Sequence, residues 1–265
     1  MCSSLRLPVD CRSITCRSGL TTLVLLALLL SVNPASANCE DPPGRRVNWT
    51  RCDKAGADLS GADLREAVLS RANLREAVLV DARLSGADLG RADLQGVDFT
   101  GAVMRGARLV GAELQNAAFV GTAMDGVRLD RATLGGVDLT GVNLDGARLY
   151  QTELDAALLD GASLREAYLE QADLTDASLK GAVLDGADLS KAILEGADLR
   201  NASLRDAQLD NVNLLDADLS GADLSGADLH GARIDGADFT GAQLDSTIWV
   251  DRRRCRPGSV GACER

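Results

Sequence analysis

The chain has 265 residues and a formal net charge of −11, and 46% of its residues are hydrophobic but only 3% aromatic. A domain of this length ordinarily buries more Phe, Tyr and Trp, so we expect a uniform core of small aliphatic side chains. The acidic balance excludes nucleic acid and anionic membrane surfaces as simple electrostatic partners.

The N-terminal segment 1–37 has the features of a secretory signal peptide. Three arginines precede an apolar run at 23–30, and the small-x-small pattern of a cleavage site follows at Ala35 and Ala37. The run is shorter than the roughly 20 residues that a membrane span needs, so we expect no stable membrane insertion. We predict cleavage after Ala37 and a periplasmic or secreted protein. An organelle lumen is the alternative, because the stretch before the apolar run is long. Cleavage changes the formal charge from −11 to −13.

A large apolar residue occupies every fifth position from residue 59 to residue 244. Of these 38 positions, 32 are Leu, and the rest are Phe99, Met104, Phe119, Met124, Ile234 and Phe239. The residue two positions before each of them is Ala in 31 cases and Val or Thr in the other seven. Because the register never shifts, the repeat governs the whole region.

A period of five fits neither a regular helix nor a regular strand. Five residues turn an α-helix by about 500°, which would scatter the Leu side chains around every face. Along a strand an odd step alternates sides. A short strand and a turn in every repeat instead place Ala and Leu together inside. Glycine recurs two residues after Leu, as at Gly86 and Gly186, where a corner needs a permissive backbone.

The repeat A(D/N)LXX, which occurs here as GADLS, RANLR and RADLQ, resembles that of the pentapeptide repeat family. The resemblance covers about residues 47–249. It implies an all-β fold, a right-handed quadrilateral parallel β-helix (solenoid) of about ten coils of about 20 residues, roughly 48 Å long. Phe99 and Phe119 are 20 residues apart, as are Met104 and Met124, so like residues are expected to stack. The expected organisation is a signal peptide at 1–37, an N-terminal cap at 38–53, the β-helix at 54–249 and a C-terminal cap or tail at 250–265.

Four cysteines remain in the mature chain, two at each end of the repeat: Cys39, Cys52, Cys255 and Cys263. An even number in an exported protein indicates disulfides, with free or metal-binding thiols as the alternative. In the rod that the resemblance implies, the two ends lie far beyond the roughly 7 Å between Cα atoms that a disulfide allows. The implied pairs are therefore Cys39–Cys52 and Cys255–Cys263. Trp49 and Trp249 fall in the Leu register near the two ends, and we expect them to plug the core.

The sequence offers little for catalysis. It contains one histidine, His230, which we interpret as a solvated side chain near Asp210 and Asp228. A single histidine cannot build a multi-histidine metal site, and the chain has no GxxxxGK[ST] phosphate loop. A straight prism also lacks the concave pocket that active sites favour. We predict a protein that is not an enzyme, with no catalytic residues, no cofactor and no metal site.

One group of outward residues departs from the acidic pattern. Sorted by coils of 20, it forms a candidate interaction patch of arginine and tyrosine: Arg91, Arg108, Arg128, Arg131, Arg148, Tyr150 and Tyr168. Guanidinium groups about 5 Å apart repel, so such a ladder indicates contact with an anion or a protein. The alternative is a solvated face balanced by the carboxylates of Asp130, Glu113 and Asp145.

A second candidate surface is apolar and lies on another face. Its members suggest a homodimer contact: Val78, Val80, Ala118, Val120 and Leu158.

Two functions follow from these features. The first is an exported, non-enzymatic structural or protein-interaction rod with an acidic surface and an unidentified protein partner. The second is implied by the resemblance, since some cytoplasmic pentapeptide repeat proteins mimic DNA and protect DNA gyrase, a topoisomerase, from inhibitors. The acidic ladder of Asp198, Asp218 and Asp238 fits a DNA mimic, whereas export and the short coil spacing of about 4.8 Å argue against it.

Overall fold

The structure, a computed structural model, describes residues 37–264, which form a four-sided parallel β-helix. Isolated parallel bridges join the residues between Ala and Leu to those 20 positions later, with one gap between Ala118 and Asp138. The four ladders are side 1 from Asn48 to Ile248, side 2 from Asp53 to Arg233, side 3 from Asp58 to Asp238, and side 4 from Asp63 to Gln243. No helix occurs among the described residues. The right-handed quadrilateral β-helix expected from the sequence is confirmed.

The predicted signal peptide lies outside the described residues, apart from Ala37 at its expected cleavage site. Within the described part of the chain, no helix is long and apolar enough to cross a membrane.

Backbone hydrogen bonds explain why each side can be so short. In the repeat that begins at Leu189, the amides of Leu189 and Lys191 donate to the next coil at 2.7 and 3.0 Å. The amide of Ile193 donates to the previous coil at 2.9 Å, and that of Ala192 closes the turn onto the Leu189 carbonyl at 2.9 Å. Four of the five amides in a repeat are therefore satisfied by backbone, and the residue after Leu is left over.

Where the outward residue before Leu is Asp or Asn, its side chain satisfies that fifth amide. Asp188 Oδ1 accepts the Ser190 amide at 3.0 Å, and Asp98 Oδ1 accepts the Thr100 amide at 2.9 Å. Equivalent bonds recur at Asp58, Asn73, Asp88, Asp138, Asn143, Asp173, Asp218, Asp223, Asp228 and Asp238. A short side chain with an acceptor oxygen is needed here, which explains the D/N position of the repeat.

The core consists of stacked Leu and Ala columns. Leu189 and Ala187 are fully buried, as are nearly all their equivalents. Phe99 and Phe119 stack with centroids 5.3 Å apart, which confirms the expectation that like residues stack. Thr152 occupies an Ala position and is fully buried, and its hydroxyl donates to the Leu129 carbonyl at 2.8 Å. A polar residue fits at an inward position when its side-chain polar atom finds a hydrogen-bond partner, as Thr152 does.

The two ends are closed differently. Trp49 is 1% exposed, and the ammonium group of Lys54 lies 4.4 Å from the centroid of its ring. Trp249 is only partly buried and meets Phe239 edge-on at 5.3 Å. A cavity of about 510 Å³ opens beside Trp249. The plug expected from the sequence is therefore complete at the N-terminal end and partial at the C-terminal end.

Segments outside the repeat cover both ends. Cys39 is bonded to Cys52 with Cα atoms 5.4 Å apart, and Cys255 to Cys263 with Cα atoms 5.0 Å apart. The C-terminal segment returns antiparallel to the last coil through the bridges Gln243↔Val260 and Ile248↔Arg254.

Candidate functional site

The arginine face is the part of side 1, with its adjoining corner, from Arg51 to Tyr168. The bridges Arg108↔Arg128, Arg128↔Arg148 and Arg148↔Tyr168 place four predicted patch residues in one continuous ladder. Tyr150 follows Leu149 on the same side. The corner carries Arg91 and Arg131, whose φ angles of 56° and 58° lie in the left-handed region. All seven residues of the predicted patch therefore lie on one side of the rod.

In the ladder, arginine and tyrosine stand at positions where Asp or Asn elsewhere on side 1 accepts the amide of the residue after Leu. Arginine and tyrosine at Arg108, Arg128, Arg148 and Tyr168 cannot supply the carboxylate or amide oxygen that Asp188 provides further along the same ladder. Side 1 gives up a repeating hydrogen bond over four coils in order to present these side chains.

Asp130 is the carboxylate that counters the centre of the ladder. It is 8% exposed, and its two oxygens lie 3.8 Å from Arg128 Nε and 3.6 Å from Arg148 Nε. Both distances are too long for hydrogen bonds, and the buried Nε atom of Arg128 has no hydrogen-bond partner among the described residues. Asp130 therefore compensates two guanidinium groups only partly.

The other two carboxylates expected to balance this face do not reach it. Glu113 lies on side 2 and accepts a hydrogen bond from Gln95 at 2.7 Å. Asp145 accepts one from Ser163 at 2.6 Å at the side 4 corner. That expectation was wrong because both side chains project from sides that turn away from side 1.

Aromatic surface extends the cationic ladder. The guanidinium carbon of Arg131 lies 6.0 Å from the Tyr150 ring centroid, at the outer limit of a cation–π contact. The Tyr168 side chain is 54% exposed. These are the only two tyrosines of the chain, and both lie on this face.

The structure adds Arg51 and Arg71 to this face, which the sequence patch omitted. They occupy the same corner column as Arg91, which lies 40 residues after Arg51 and 20 after Arg71, and their φ angles are both 60°. The backbone amides of Arg51 and Arg71 bond to Ser70 and Gly90 in the next coil. Extending the corner column of Arg91 backwards in steps of 20 would have found both residues.

The opposite side of the rod, side 3, carries the acidic ladder of Asp198, Asp218 and Asp238. Two cations on the same side partly neutralise it: Lys180 Nζ lies 3.0 Å and Arg200 Nη2 2.7 Å from Asp198 Oδ2. The hydrogen bond from Arg200 lowers the pKa of Asp198 to about 2. The ladder is thus less negative than its sequence indicates.

The apolar group also lies on side 3. Val120 is 69% and Leu158 44% exposed, whereas Val78, Val80 and Ala118 are half-buried. No bridge joins Ala118 to Asp138 in the described ladders, and a cavity of about 260 Å³ opens between these coils. The exposed valine therefore borders a local gap in the sheet.

The described residues offer little catalytic chemistry. His230 is half-buried; its Nε2 accepts a hydrogen bond from Arg252 Nε at 2.7 Å, and its backbone amide donates to Asp228 Oδ1 at 2.9 Å. No group of three or more His, Cys, Asp or Glu residues within 37–264 is arranged to hold a metal ion.

Comparison with known families agrees with this architecture. A family model described as pentapeptide repeats matches eight copies, at residues 55–91, 87–122, 124–165, 162–201 and 202–241. No curated protein matches the sequence.

Several solved structures are similar to the chain. HetL, a pentapeptide repeat protein involved in heterocyst differentiation regulation in the cyanobacterium Nostoc sp. strain PCC 7120, is 34% identical with a TM-score of 0.71. That match covers 79% of this chain and 92% of HetL. A variant of QnrB1, a plasmid-mediated fluoroquinolone resistance protein, is 22% identical with a TM-score of 0.42 over 72% of this chain and 79% of its own. We therefore base the comparison of folds on HetL.

Proposed function

The chain belongs to the pentapeptide repeat family, and from this premise we propose that it is an exported, non-enzymatic rod that binds a partner protein through its arginine face. The partner would present an acidic surface, because the ladder is cationic on an otherwise acidic protein. The remaining sides keep the rod soluble and repel other anionic surfaces.

The observation that carries this proposal is the incomplete compensation of Arg128 and Arg148 by the shared Asp130. A structural ion pair would place each guanidinium within hydrogen-bond distance of a carboxylate. These two instead lie beside Tyr150 and Tyr168 in a strip rich in arginine and tyrosine, the side chains that protein interfaces favour. A partner carboxylate would supply the missing acceptors.

Export is supported by the composition of residues 1–37 and by the four remaining cysteines, which face each other in pairs at the two ends. Disulfides persist in the periplasm, the extracellular space and oxidising lumens.

Two measurements test the proposal. Fractionation of cells that express the full chain should place the mature protein, beginning after Ala37, in the periplasm or the medium. The mature protein should then capture a partner from that fraction, and Arg128→Glu should capture much less. Arg105→Glu is the matched control, since Arg105 lies at the corner between sides 4 and 1, outside the arginine face, and pairs with Asp125 at 2.8 Å. Equal loss with both variants would contradict a specific arginine face.

The second candidate is a DNA mimic that binds a topoisomerase-like enzyme through side 3. The alignment of Asp198, Asp218 and Asp238 in one ladder favours it. Lys180 and Arg200 disfavour it, because a mimic of the phosphate backbone gains nothing from cations within the acidic row. Recovery of the protein only from the periplasm or medium would remove this candidate, since topoisomerases act in the cytosol.

A further inference from the structure

A groove of about 440 Å³ lies at the N-terminal end of the arginine face, on the coils before Arg128. Its lining combines cationic, hydroxyl and small residues: Thr50, Arg51, Ser70, Arg71, Asp88, Gly90, Arg91, Arg108 and Val110. The groove belongs to the arginine face but includes neither Arg128 nor Arg148, on which the protein contact proposed above centres.

Four guanidinium groups line the groove. Arg51, Arg71, Arg91 and Arg108 make no side-chain hydrogen bond or ion pair within residues 37–264. Arg75 shows the contrast, because Arg75 Nη1 donates to Gln95 Oε1 at 2.8 Å and lies 3.2 Å from Asp93 Oδ2. Other described arginines, such as Arg233 and Arg254, also lack a side-chain partner, but the groove brings four of them together.

Successive corner arginines lie one coil apart, because their amides bond to the next coil at 3.1 Å for Arg51 and 2.9 Å for Arg71 and Arg91. At a coil spacing of about 4.8 Å, unpaired guanidinium groups repel one another. An anion between them would remove this repulsion and gain charge-assisted hydrogen bonds.

Gly90 opens the floor of the groove. Its φ is not in the left-handed region, so the backbone does not require glycine there. Equivalent positions on neighbouring coils carry Ser70 and Val110. A Cβ atom at Gly90 would lie 3.1 Å from Asp88 Oδ1 and 3.7 Å from the Val110 carbonyl oxygen, and its side chain would occupy the floor.

The acidic member of the lining is already engaged. Asp88 Oδ1 accepts the Gly90 amide at 3.0 Å. The Ser70 hydroxyl makes no hydrogen bond within the described residues and is free to donate. The groove thus offers four cations and a hydroxyl against one carboxylate.

We propose that this groove binds a compact, multivalent oxyanion of the phosphate or sulfate type, with at least two anionic groups that bridge arginines of successive coils. Planar guanidinium groups bind tetrahedral oxyanions through paired N–H donors, which suits such ligands better than a single carboxylate. The open floor at Gly90 admits one anionic group between Ser70 and Arg108, while Arg71 and Arg91 contact it from the corner.

Isothermal titration of the mature protein at low salt tests the site, with pyrophosphate as the first probe. We expect Arg71→Gln to weaken binding about tenfold or more, the loss typical of one charge-assisted hydrogen bond. Arg75→Gln removes the same charge from the same coil and should change the affinity less than about twofold. Gly90→Thr leaves every charge in place and should also weaken binding. It is compatible with the fold, since Thr140 follows Leu139 and Asp138 in the same local motif.

Further probes distinguish sources of the anion. Inorganic phosphate and sulfate should bind more weakly than pyrophosphate if the site contacts two anionic groups of one ligand. A phosphate monoester that matches pyrophosphate would assign the second contact to an organic group and contradict the two-anion site. Equal effects of Arg71→Gln and Arg75→Gln, with no effect of Gly90→Thr, would reveal diffuse charge attraction and overturn the proposal. Capture of the protein partner by these variants is read separately, so failure here leaves the function of Arg128 testable.

Discussion

Asp188 Oδ1 accepts both the backbone N–H of Ser190 at 3.0 Å and its hydroxyl at 2.6 Å. This relationship accounts for the D/N position of the repeat, because each five-residue repeat leaves the amide of the residue after Leu without a backbone acceptor. An outward Asp or Asn supplies one from two residues away. The acidic surface of the rod is thus partly a by-product of satisfying its backbone.

Asp188→Ala should destabilise the protein by about 1 kcal/mol, because it removes the acceptor of the Ser190 amide. Asp188→Asn should retain most of the stability, since its amide oxygen can accept the same bond. Gln208→Ala is the control, because Gln208 is exposed, lies next in the same ladder and makes no side-chain bond within the described chain. Chemical denaturation measures all three. A loss in Asp188→Asn equal to that in Asp188→Ala would point to charge instead of the hydrogen bond.

The inward Ala columns should be intolerant of size. Ala187 is fully buried beside a corner, so Ala187→Leu should overpack the core and cost on the order of 1–3 kcal/mol. Ala187→Val should cost less, since the chain itself places Val97 and Val212 at equivalent buried positions. Thermal unfolding compares the two variants. An unchanged melting temperature in Ala187→Leu would contradict the inward assignment.

The regular part of this fold could be predicted from the sequence because Leu and Ala recur in an unbroken register. A period of five also fits few kinds of backbone structure. The arginine ladder was found the same way, by sorting residues into coils of 20. Arg51 and Arg71 were missed because they lie on coils before the ladder of Arg108 to Tyr168, although they share the corner column of Arg91. The charge partners could not be predicted, since Glu113 and Asp145 are near Arg128 in sequence yet project from other sides. The gap between Ala118 and Asp138 leaves no trace in the repeat pattern.

Arg128→Asn should leave stability within about 0.5 kcal/mol of wild type or raise it. The variant removes a guanidinium whose Nε is 3.8 Å from its nearest carboxylate, and it offers the Asp130 amide a side-chain acceptor. Arg148 would remain to compensate Asp130. Denaturation and partner capture should therefore diverge, with capture weakened and stability kept. A large loss of stability would show that Arg128 belongs to a structural ion-pair network, and the arginine face would lose its functional interpretation.

Acid should destabilise the rod between about pH 4 and pH 2. The hydrogen bond from Arg200 lowers the folded-state pKa of Asp198 to about 2, below the value of about 3.9 in an unfolded chain. A lowered pKa stabilises the fold above about pH 4, and this contribution is lost as the pH falls through 2. Surface screening limits it to roughly 1 kcal/mol or less. In Arg200→Gln, the denaturation midpoint should fall less between pH 4 and pH 2 than in wild type. An identical decline would assign the acid sensitivity to other carboxylates.

The last prediction concerns the four cysteines. Non-reducing peptide mapping of the mature protein should recover Cys39 with Cys52 and Cys255 with Cys263, whose Cα atoms are 5.4 and 5.0 Å apart. Cross-end pairs would need to span the rod, roughly 48 Å at the coil spacing of a parallel β-helix. The first disulfide closes a loop of about 14 residues and should contribute about 3 kcal/mol in the chain-entropy model, and the second slightly less.

Each disulfide fastens a terminal coil that has a neighbour on one side only, where a solenoid frays first. Cys39→Ser with Cys52→Ser should therefore lower the melting temperature, whereas reduction should affect the wild type more than this double variant, which retains only the C-terminal pair. A peptide joining Cys39 to Cys255 from a monomer is incompatible with the rod. The same peptide from a dimer would instead indicate that two rods meet end to end, because only another molecule can bring those cysteines within disulfide distance.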